Sequence, residues 1–287
     1  MRAIEPAYAG YAERDGVKLY WQRFGEGQPS IVLLPTWSIM DSRFWKAQVP
    51  YLARHFRVVT FDGRGTGRSD RPAEAEAYSH VEFAADTIAV LDATETPDAV
   101  LVGLSCGALW GVQVAAARPD RVRGLIFLGP QVPLAPTHAD RTVYPFADRL
   151  DTTDGWAKYN RHHWLEGGYR DFLEFFAGQA CTEPHSTKQI EDFIEWALDI
   201  EPAKLVASDE GLDACGLDSF RPVCERVRAP VIHGDDDELA HHARGAALAA
   251  VTGGELVTVA GGGHFLQARE PVFVNRVIKR FVDRIAG

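Results

Sequence analysis

The chain has 287 residues, enough for one large domain or a core carrying an inserted subdomain, with a substantial buried interior. Its composition, 46% hydrophobic and 24% charged, is that of a soluble globular protein. A net charge of −10, with the arginines scattered and no basic run, argues against binding to nucleic acid or to an anionic membrane surface.

Taken in chain order, Tyr8 to Phe24 alternates apolar and polar residues around Asp15-Gly16, the signal of a β-hairpin. Ile31-Val32-Leu33-Leu34 reads as a buried strand, Trp45 to His55 as a helix and Phe56 to Phe61 as the next strand. A polar, Gly-rich turn follows at Asp62-Gly63-Arg64-Gly65-Thr66-Gly67-Arg68-Ser69-Asp70, then a helical period from Val81 to Asp92. Ala99 to Leu104 is an apolar run that leads into a helix, and Val122 to Leu128 is another strand. Strands alternate with helices over residues 31–130, which implies an α/β architecture with a mostly parallel, doubly wound sheet. The alternation then stops. Between Pro133 and Arg221 there are only helical windows, rich in aromatics, and the pattern resumes at Ala229–His233, at Glu255–Val259 and in a last helix from Glu270 to about Ile285. One domain (1–132 and 222–287) interrupted by a helical insertion (133–221) is the simplest account.

Four cysteines, Cys106, Cys181, Cys215 and Cys224, have no zinc-type spacing. Cys215 and Cys224 are near enough in sequence to meet, but so few in so long a chain suit a reducing compartment. The segment Met1–Pro6 lacks the apolar core of a signal peptide, and no apolar run reaches the length of a membrane span. A cytoplasmic protein, monomeric or homodimeric, is the expectation.

The chemistry is concentrated where Ala99–Leu104 breaks at Gly103-Leu104-Ser105-Cys106-Gly107. A tight strand-to-helix turn of this Gly-x-Ser-x-Gly form holds a serine hydroxyl outward at the end of a sheet. A serine hydroxyl is barely ionised at neutral pH and needs a base, which in turn needs an orienting carboxylate. Candidates follow in the order Ser, acid, His: Gly234-Asp235-Asp236-Asp237-Glu238 after one strand and Gly261-Gly262-Gly263-His264-Phe265 after the next. Each has a plainer reading, the acidic cluster as a helix-capping loop and His264 as one of 10 ordinary histidines. A metal on Asp235, Asp237, His241 and His242 is disfavoured by the lack of a defined ligand spacing. Three candidates, each at the carboxyl end of a strand where α/β sheets gather their ligands, favour a catalytic site without metal or cofactor.

With these motifs and the 62–70 turn, the chain resembles the α/β-hydrolase superfamily over nearly its whole length, with the insertion as a helical cap. The resemblance implies the α/β-hydrolase fold and makes Asp237, the last residue of Gly-x-x-Asp, the acid, with Asp235 in reserve. It also implies an oxyanion hole made by the backbone N–H groups of Trp37 and Cys106. Here the chain departs from the family, since Pro35-Thr36 stands where His-Gly is usual. The run Pro35-Thr36-Trp37-Ser38 is similar to haloalkane dehalogenases; those use an aspartate nucleophile, as do the epoxide hydrolases of this fold, and Ser105 argues against both. Cys106, one past the apex, is expected to pack rather than react, and Asp62 and Arg64 to organise their loop.

Two thirds of the aromatics in the insertion are assigned to packing. The rest, with Trp37, are expected to line a largely apolar pocket for a small-molecule substrate, contacted by Trp37, His163, Trp164 and Phe265. Asn160, Arg161 and His162 are further polar candidates. The expected function is a carboxylesterase-like hydrolase of an ester or lactone acting through an acyl-enzyme on Ser105. Carbon–carbon bond hydrolysis of a β-diketone or vinylogous substrate, acyl transfer or cyclisation on the same residues, and a non-catalytic small-molecule receptor remain open.

Overall fold

Asp15 and Gly16 both take positive φ (50° and 78°), the backbone that lets a two-residue turn close a twisted hairpin. They join β1 (Tyr8–Arg14) to β2 (Val17–Phe24), paired from Tyr8 opposite Arg23 to Arg14 opposite Val17. The computed structural model in which these are seen describes residues 4–212, 217–225, 227 and 229–286, with the backbone alone at 217–220. Cys215, and hence its expected approach to Cys224, lies outside the described residues.

The remaining strands are β3 (Ser30–Leu33), β4 (Arg57–Phe61), β5 (Ala99–Leu104), β6 (Val122–Leu128), β7 (Val231–Gly234) and β8 (Leu256–Val259). They form one sheet in the order β1-β2-β4-β3-β5-β6-β7-β8. Only β1–β2 and β2–β4 pair antiparallel; the pairs from β4 to β8 are parallel. The two-residue period of a strand sorts its side chains between two layers. Ile31, Leu33, Val100, Val102, Leu104, Ile126 and Leu128 face one way, onto Trp45, Leu52, Val274 and Ile278. Val32, Leu101, Leu125 and Phe127 face the other, onto Ala84, Val90, Ala108, Val112 and Leu248. Burial on both faces is why β3 and β5 read as continuous apolar runs rather than alternating ones.

The flanking helices mostly follow the sequence reading. His80–Ala93 is capped by Ser79, whose hydroxyl accepts from the Glu82 N–H, and the last helix runs Pro271–Ala286. The helix expected over Trp45–His55 is corrected. A 3-10 turn, Ser42–Trp45, capped by Asp41, is followed by a single α-turn, Val49–Leu52. Pro50 has no N–H to continue a helix through itself, so it opens a new turn instead.

Between Leu128 and Val231 the described residues contain no strand. The longer helices there are Tyr169–Ala180, Thr187–Leu198 and Pro202–Gly211. Their aromatic core is continuous with one layer of the sheet: Phe176 packs on Trp37 (ring centroids 5.6 Å apart) and Phe193 on Phe265 (5.6 Å). Among the described residues no helix is long and apolar enough to cross a membrane.

Candidate active site

Because β3, β5, β7 and β8 are parallel, the segments after them, Pro35–Trp37, Ser105, Asp235–Asp237 and His264, emerge at one edge of the sheet. β5 ends at Leu104 and the helix Cys106–Ala117 begins two residues later, so the whole reversal falls on Ser105. Ser105 has φ 56° and ψ −119°, a conformation that costs a non-glycine residue about 1–3 kcal/mol and persists only where the surroundings enforce it. Its N–H donates to the Leu128 carbonyl (3.0 Å), and its own carbonyl accepts from Ala108 (3.1 Å) and Gln131 (3.2 Å). Close approach explains both glycines of the motif. A Cβ on Gly103 would lie 2.4 Å from the Gly107 carbonyl oxygen, and one on Gly107 would lie 2.4 Å from that of Pro35.

That second contact seats the Pro35-Thr36-Trp37 loop on the start of the helix, and the Leu34 N–H donates to Val102 (2.9 Å) just before it. Thr36, Trp37, Ser105 and Cys106 therefore border one cavity. The N–H groups of Trp37 and Cys106 take no part in backbone pairing among the described residues. Cys106 N–H also sits at the positive end of a three-turn helix, where negative charge is favoured.

The carboxylate of Asp237 is fully enclosed. Its Oδ1 accepts from the backbone N–H groups of Leu239 (2.9 Å) and Ala240 (2.8 Å), and its Oδ2 lies 2.7 Å from His264 Nδ1 and 3.2 Å from His233 Nε2. Burial alone would raise its pKa, but the charge of His264 and the bonds from His233 and His264 override it and hold the carboxyl well below its usual range. His233 Nε2 is also 2.9 Å from the Ala240 carbonyl, so this nitrogen carries the hydrogen and the ring is locked beside the acid. The His264 loop hangs from the end of the helix Tyr169–Ala180 and the segment after it: the His264 N–H donates to Ala180 O (2.9 Å) and the Gly263 N–H to Glu183 Oε1 (2.9 Å). Gly129 (φ 44°), just past β6, passes under the pair; a Cβ there would meet Asp237 Oδ2 and His264 Nδ1, each at 3.1 Å.

Ser105 and His264 share a cavity of about 280 Å³. Its lining includes the apolar Trp37, Ile39, Met40, Leu109, Phe176 and Phe265 and the polar Gln131, Arg141, Tyr159, Asp209 and Arg244. A larger groove, about 700 Å³, lies at the amino ends of β6–β8 beside Arg123 and Glu255, remote from Ser105.

The model of the α/β hydrolase fold family matches residues 29–271. The chain belongs to the α/β-hydrolase family. Pimeloyl-(acyl-carrier protein) methyl ester esterase of Aeromonas hydrophila is 31% identical over 193 residues, 67% of this chain and 69% of that protein. Putative carbamate hydrolase RutD of Azorhizobium caulinodans is 36% identical over 115 residues, 40% of this chain and 42% of the relative, so the match spans about two-fifths of that protein's length. Among solved structures, Est816, described as an N-acyl homoserine lactone degrading enzyme, aligns with a TM-score of 0.76 at 26% identity, covering 95% of this chain and 100% of its own. The enol-lactonase of Burkholderia xenovorans LB400 aligns with a TM-score of 0.78 at 23% identity, covering 96% and 100%, a likeness of fold.

Within this α/β-hydrolase chain the structure brings Ser105, Asp237, His264, Trp37, Cys106 and Phe265 to one place and leaves others out. His163 is a correction. Its Nε2 lies 3.0 Å from Asp171 Oδ2, and the ring borders a separate surface hollow with Asn160, His162 and Glu166. The cause is Asn160, whose Oδ1 accepts from the N–H groups of both His162 and His163, starting a helical turn that directs these side chains away from Ser105. Trp164 is also displaced from the expected contact: it stands behind Trp37 and Tyr159, with its Nε1 on the Lys158 carbonyl (2.9 Å). Asp235 accepts from the Gly261 N–H (2.6 Å), His241 from the Ala243 N–H, and His242 pairs with Thr258, so the acidic run and its histidines disperse to separate partners. Among the described residues no group of three or more His, Cys, Asp or Glu is placed to hold a metal.

Asp62 and Arg64 organise their loop. Asp62 accepts from Ser42 and from the Arg68 N–H, and Arg64 forks onto Asp86 at 2.7 and 2.6 Å. Burial pushes the Cys106 thiol up to about 11, away from thiolate reactivity at neutral pH. Sequence reasoning missed Arg141, Asp209, Arg244, Gly129 and His233. Only His233 left a signal, as a histidine inside a fully buried strand.

Proposed function

We propose that this α/β-hydrolase is a serine hydrolase cleaving a carboxylic ester or lactone, with Ser105 as nucleophile, His264 as base and Asp237 as orienting acid. The observation that carries the reading is the 2.7 Å contact between Asp237 Oδ2 and His264 Nδ1, with His264 and Ser105 opening on the same cavity. Asp237 fixes the tautomer in which Nδ1 holds the hydrogen and Nε2 is free to take a proton. His264 Nε2 then removes the Ser105 proton as Oγ attacks the carbonyl carbon. Negative charge collects on the carbonyl oxygen, where the N–H groups of Cys106 and Trp37 would receive it; one such donor is worth about 2.7–4 kcal/mol in the transition state. His264 passes the proton to the departing alkoxide, leaving an acyl group on Ser105. A water, deprotonated by His264 in the same way, releases the acid.

Residues 133–221 serve as a cap whose Tyr159 and Phe176 complete the pocket. At about 280 Å³ the cavity suits a small acyl or lactone group. The similarity to an esterase and to a lactone-degrading enzyme supports this class of substrate.

Treatment with a fluorophosphonate followed by peptide mass spectrometry is expected to place one adduct on Ser105. Ser105→Ala should abolish both the adduct and the turnover of short p-nitrophenyl esters. An adduct on Cys106, or unchanged turnover in Ser105→Ala, removes the proposed nucleophile.

A further inference from the structure

Arg141 and Arg244 line the same cavity as Ser105 and His264, yet each reaches it from a different part of the chain. Arg141 belongs to the turn Ala139–Thr142, which follows β6, and Arg244 to the first turn of the helix His242–Thr252, which follows β7. Their protein partners are neutral. Arg141 Nη1 donates to the Leu239 carbonyl, and its guanidinium lies 4.7 Å over the ring of Trp156. Arg244 Nε donates to the carbonyls of Ala135 (3.0 Å) and Pro136 (3.4 Å). These bonds aim the two groups without cancelling their charge, and among the described residues neither arginine sits in an ion pair. Among the described residues each keeps N–H donors without a protein partner.

Both guanidiniums are half-buried, so each has lost part of its hydration without gaining a counter-charge, which leaves the cavity attractive to an anion. Among the described residues Asp209 is the one carboxylate that lines the cavity, and it answers only part of the charge. It receives the Tyr159 hydroxyl, and burial pushes it up to about 6. Burial and the neighbouring charge of Arg141 together hold Arg244 below its usual range, a sign that the two guanidiniums feel each other. At neutral pH the described lining thus carries two guanidiniums against one carboxylate, a local positive excess that favours an anionic ligand.

We infer that the substrate carries a carboxylate in addition to its scissile ester or lactone, and that Arg141 and Arg244 hold it. This rests on the hydrolase reading above and narrows its substrate to an acidic ester. A carboxylate matches the planar donor fork of arginine, and a single negative charge completes the balance where a dianion would exceed it. The apolar lining residues Trp37, Met40, Phe176 and Phe265 then pack on the carbon chain between the two ends.

The test measures binding, so it stands apart from turnover. Ser105→Ala protein is titrated calorimetrically with the monomethyl and the dimethyl esters of the straight-chain diacids from butanedioic to octanedioic. At least one monomethyl ester is expected to bind about tenfold or more tightly than its dimethyl counterpart. Adding Arg141→Gln or Arg244→Gln should shrink that ratio towards one, and Arg244→Lys, which keeps the charge but not the fork, should fall between. Thermal unfolding of each variant establishes that it is folded before its titration is read. Equal affinities across the series, absence of binding at millimolar ligand, or a preference that survives the double change to glutamine would each overturn the inference. Fluorophosphonate labelling of Ser105 is independent of these outcomes, so the hydrolase reading stands or falls separately.

Discussion

Exchanging Asp237 for asparagine changes one atom and tests how the acid works. Oδ1 of the new side chain keeps the N–H groups of Leu239 and Ala240, which Asp237 now accepts at 2.9 and 2.8 Å, so the loop retains its shape. Where Oδ2 accepts from His264 at 2.7 Å, an amide NH₂ would stand instead, a donor facing a donor. His264 answers by moving its hydrogen to Nε2, leaving Nδ1 to accept, and Nε2 can then no longer take the serine proton. A tautomer error of this kind costs about 10⁴-fold in kcat, equivalent to about 5.5 kcal/mol. Stability should fall less, by about 1–3 kcal/mol, since His233 keeps the Ala240 carbonyl as a second acceptor. The sign of the pH dependence follows as well. A carboxyl held below its unfolded value of 3.8 contributes stability that is present above that pH and lost on acidification. The wild type should therefore lose thermal stability below about pH 4 more steeply than Asp237→Asn does. Kinetics on a short p-nitrophenyl ester, with Asp235→Asn as the companion, decide the matter. Asp235 holds only an exposed turn through Gly261, and its exchange should stay within about threefold of wild type. A loss below tenfold for Asp237→Asn, or a greater loss for Asp235→Asn, refutes the reasoning.

Gly129→Ala should cost about 1–3 kcal/mol of stability from its φ of 44°, and about 100-fold in kcat as the new Cβ displaces Asp237 and His264; a variant with wild-type kcat shows that the pair has room to move. Cys106→Ala retains the backbone N–H and should keep kcat within about tenfold, while iodoacetamide at neutral pH leaves Cys106 of the native enzyme unmodified; rapid alkylation there contradicts a thiol raised to about 11. Arg64→Ala leaves the buried Asp86 with Arg14 (3.0 Å) as its remaining cation, and denaturant unfolding should register a loss of about 3 kcal/mol or more.

Much of this was legible because it is written locally. The hairpin at Asp15-Gly16, the strand runs and the break at Ser105 are each set by a few adjacent residues whose backbone preferences agree with the fold. The helix expected over Trp45–His55 is instead two short turns, because Pro50 interrupts what apolar spacing alone presents as one helix. His163 was misplaced for a different reason: its direction depends on the hydrogen bonds of Asn160, which aromatic neighbours in sequence do not reveal. The dispersal of Asp235, Asp237, His241 and His242 is of the same kind, since four adjacent polar residues look alike until each has found its partner.

The sequence by itself determined the order of strands and helices, and the candidacy of Ser105, Asp237 and His264, because strand ends, turns and the spacing of glycines are properties of neighbours along the chain. Tertiary structure alone decided what surrounds them. It hung the His264 loop on Ala180 and Glu183, slid Gly129 beneath the Asp237–His264 pair, and brought Arg141, from the turn after β6, and Arg244, from the helix after β7, to one cavity. Contacts between residues a hundred positions apart depend on how layers pack, and packing is a property of the whole core rather than of any stretch that can be read alone.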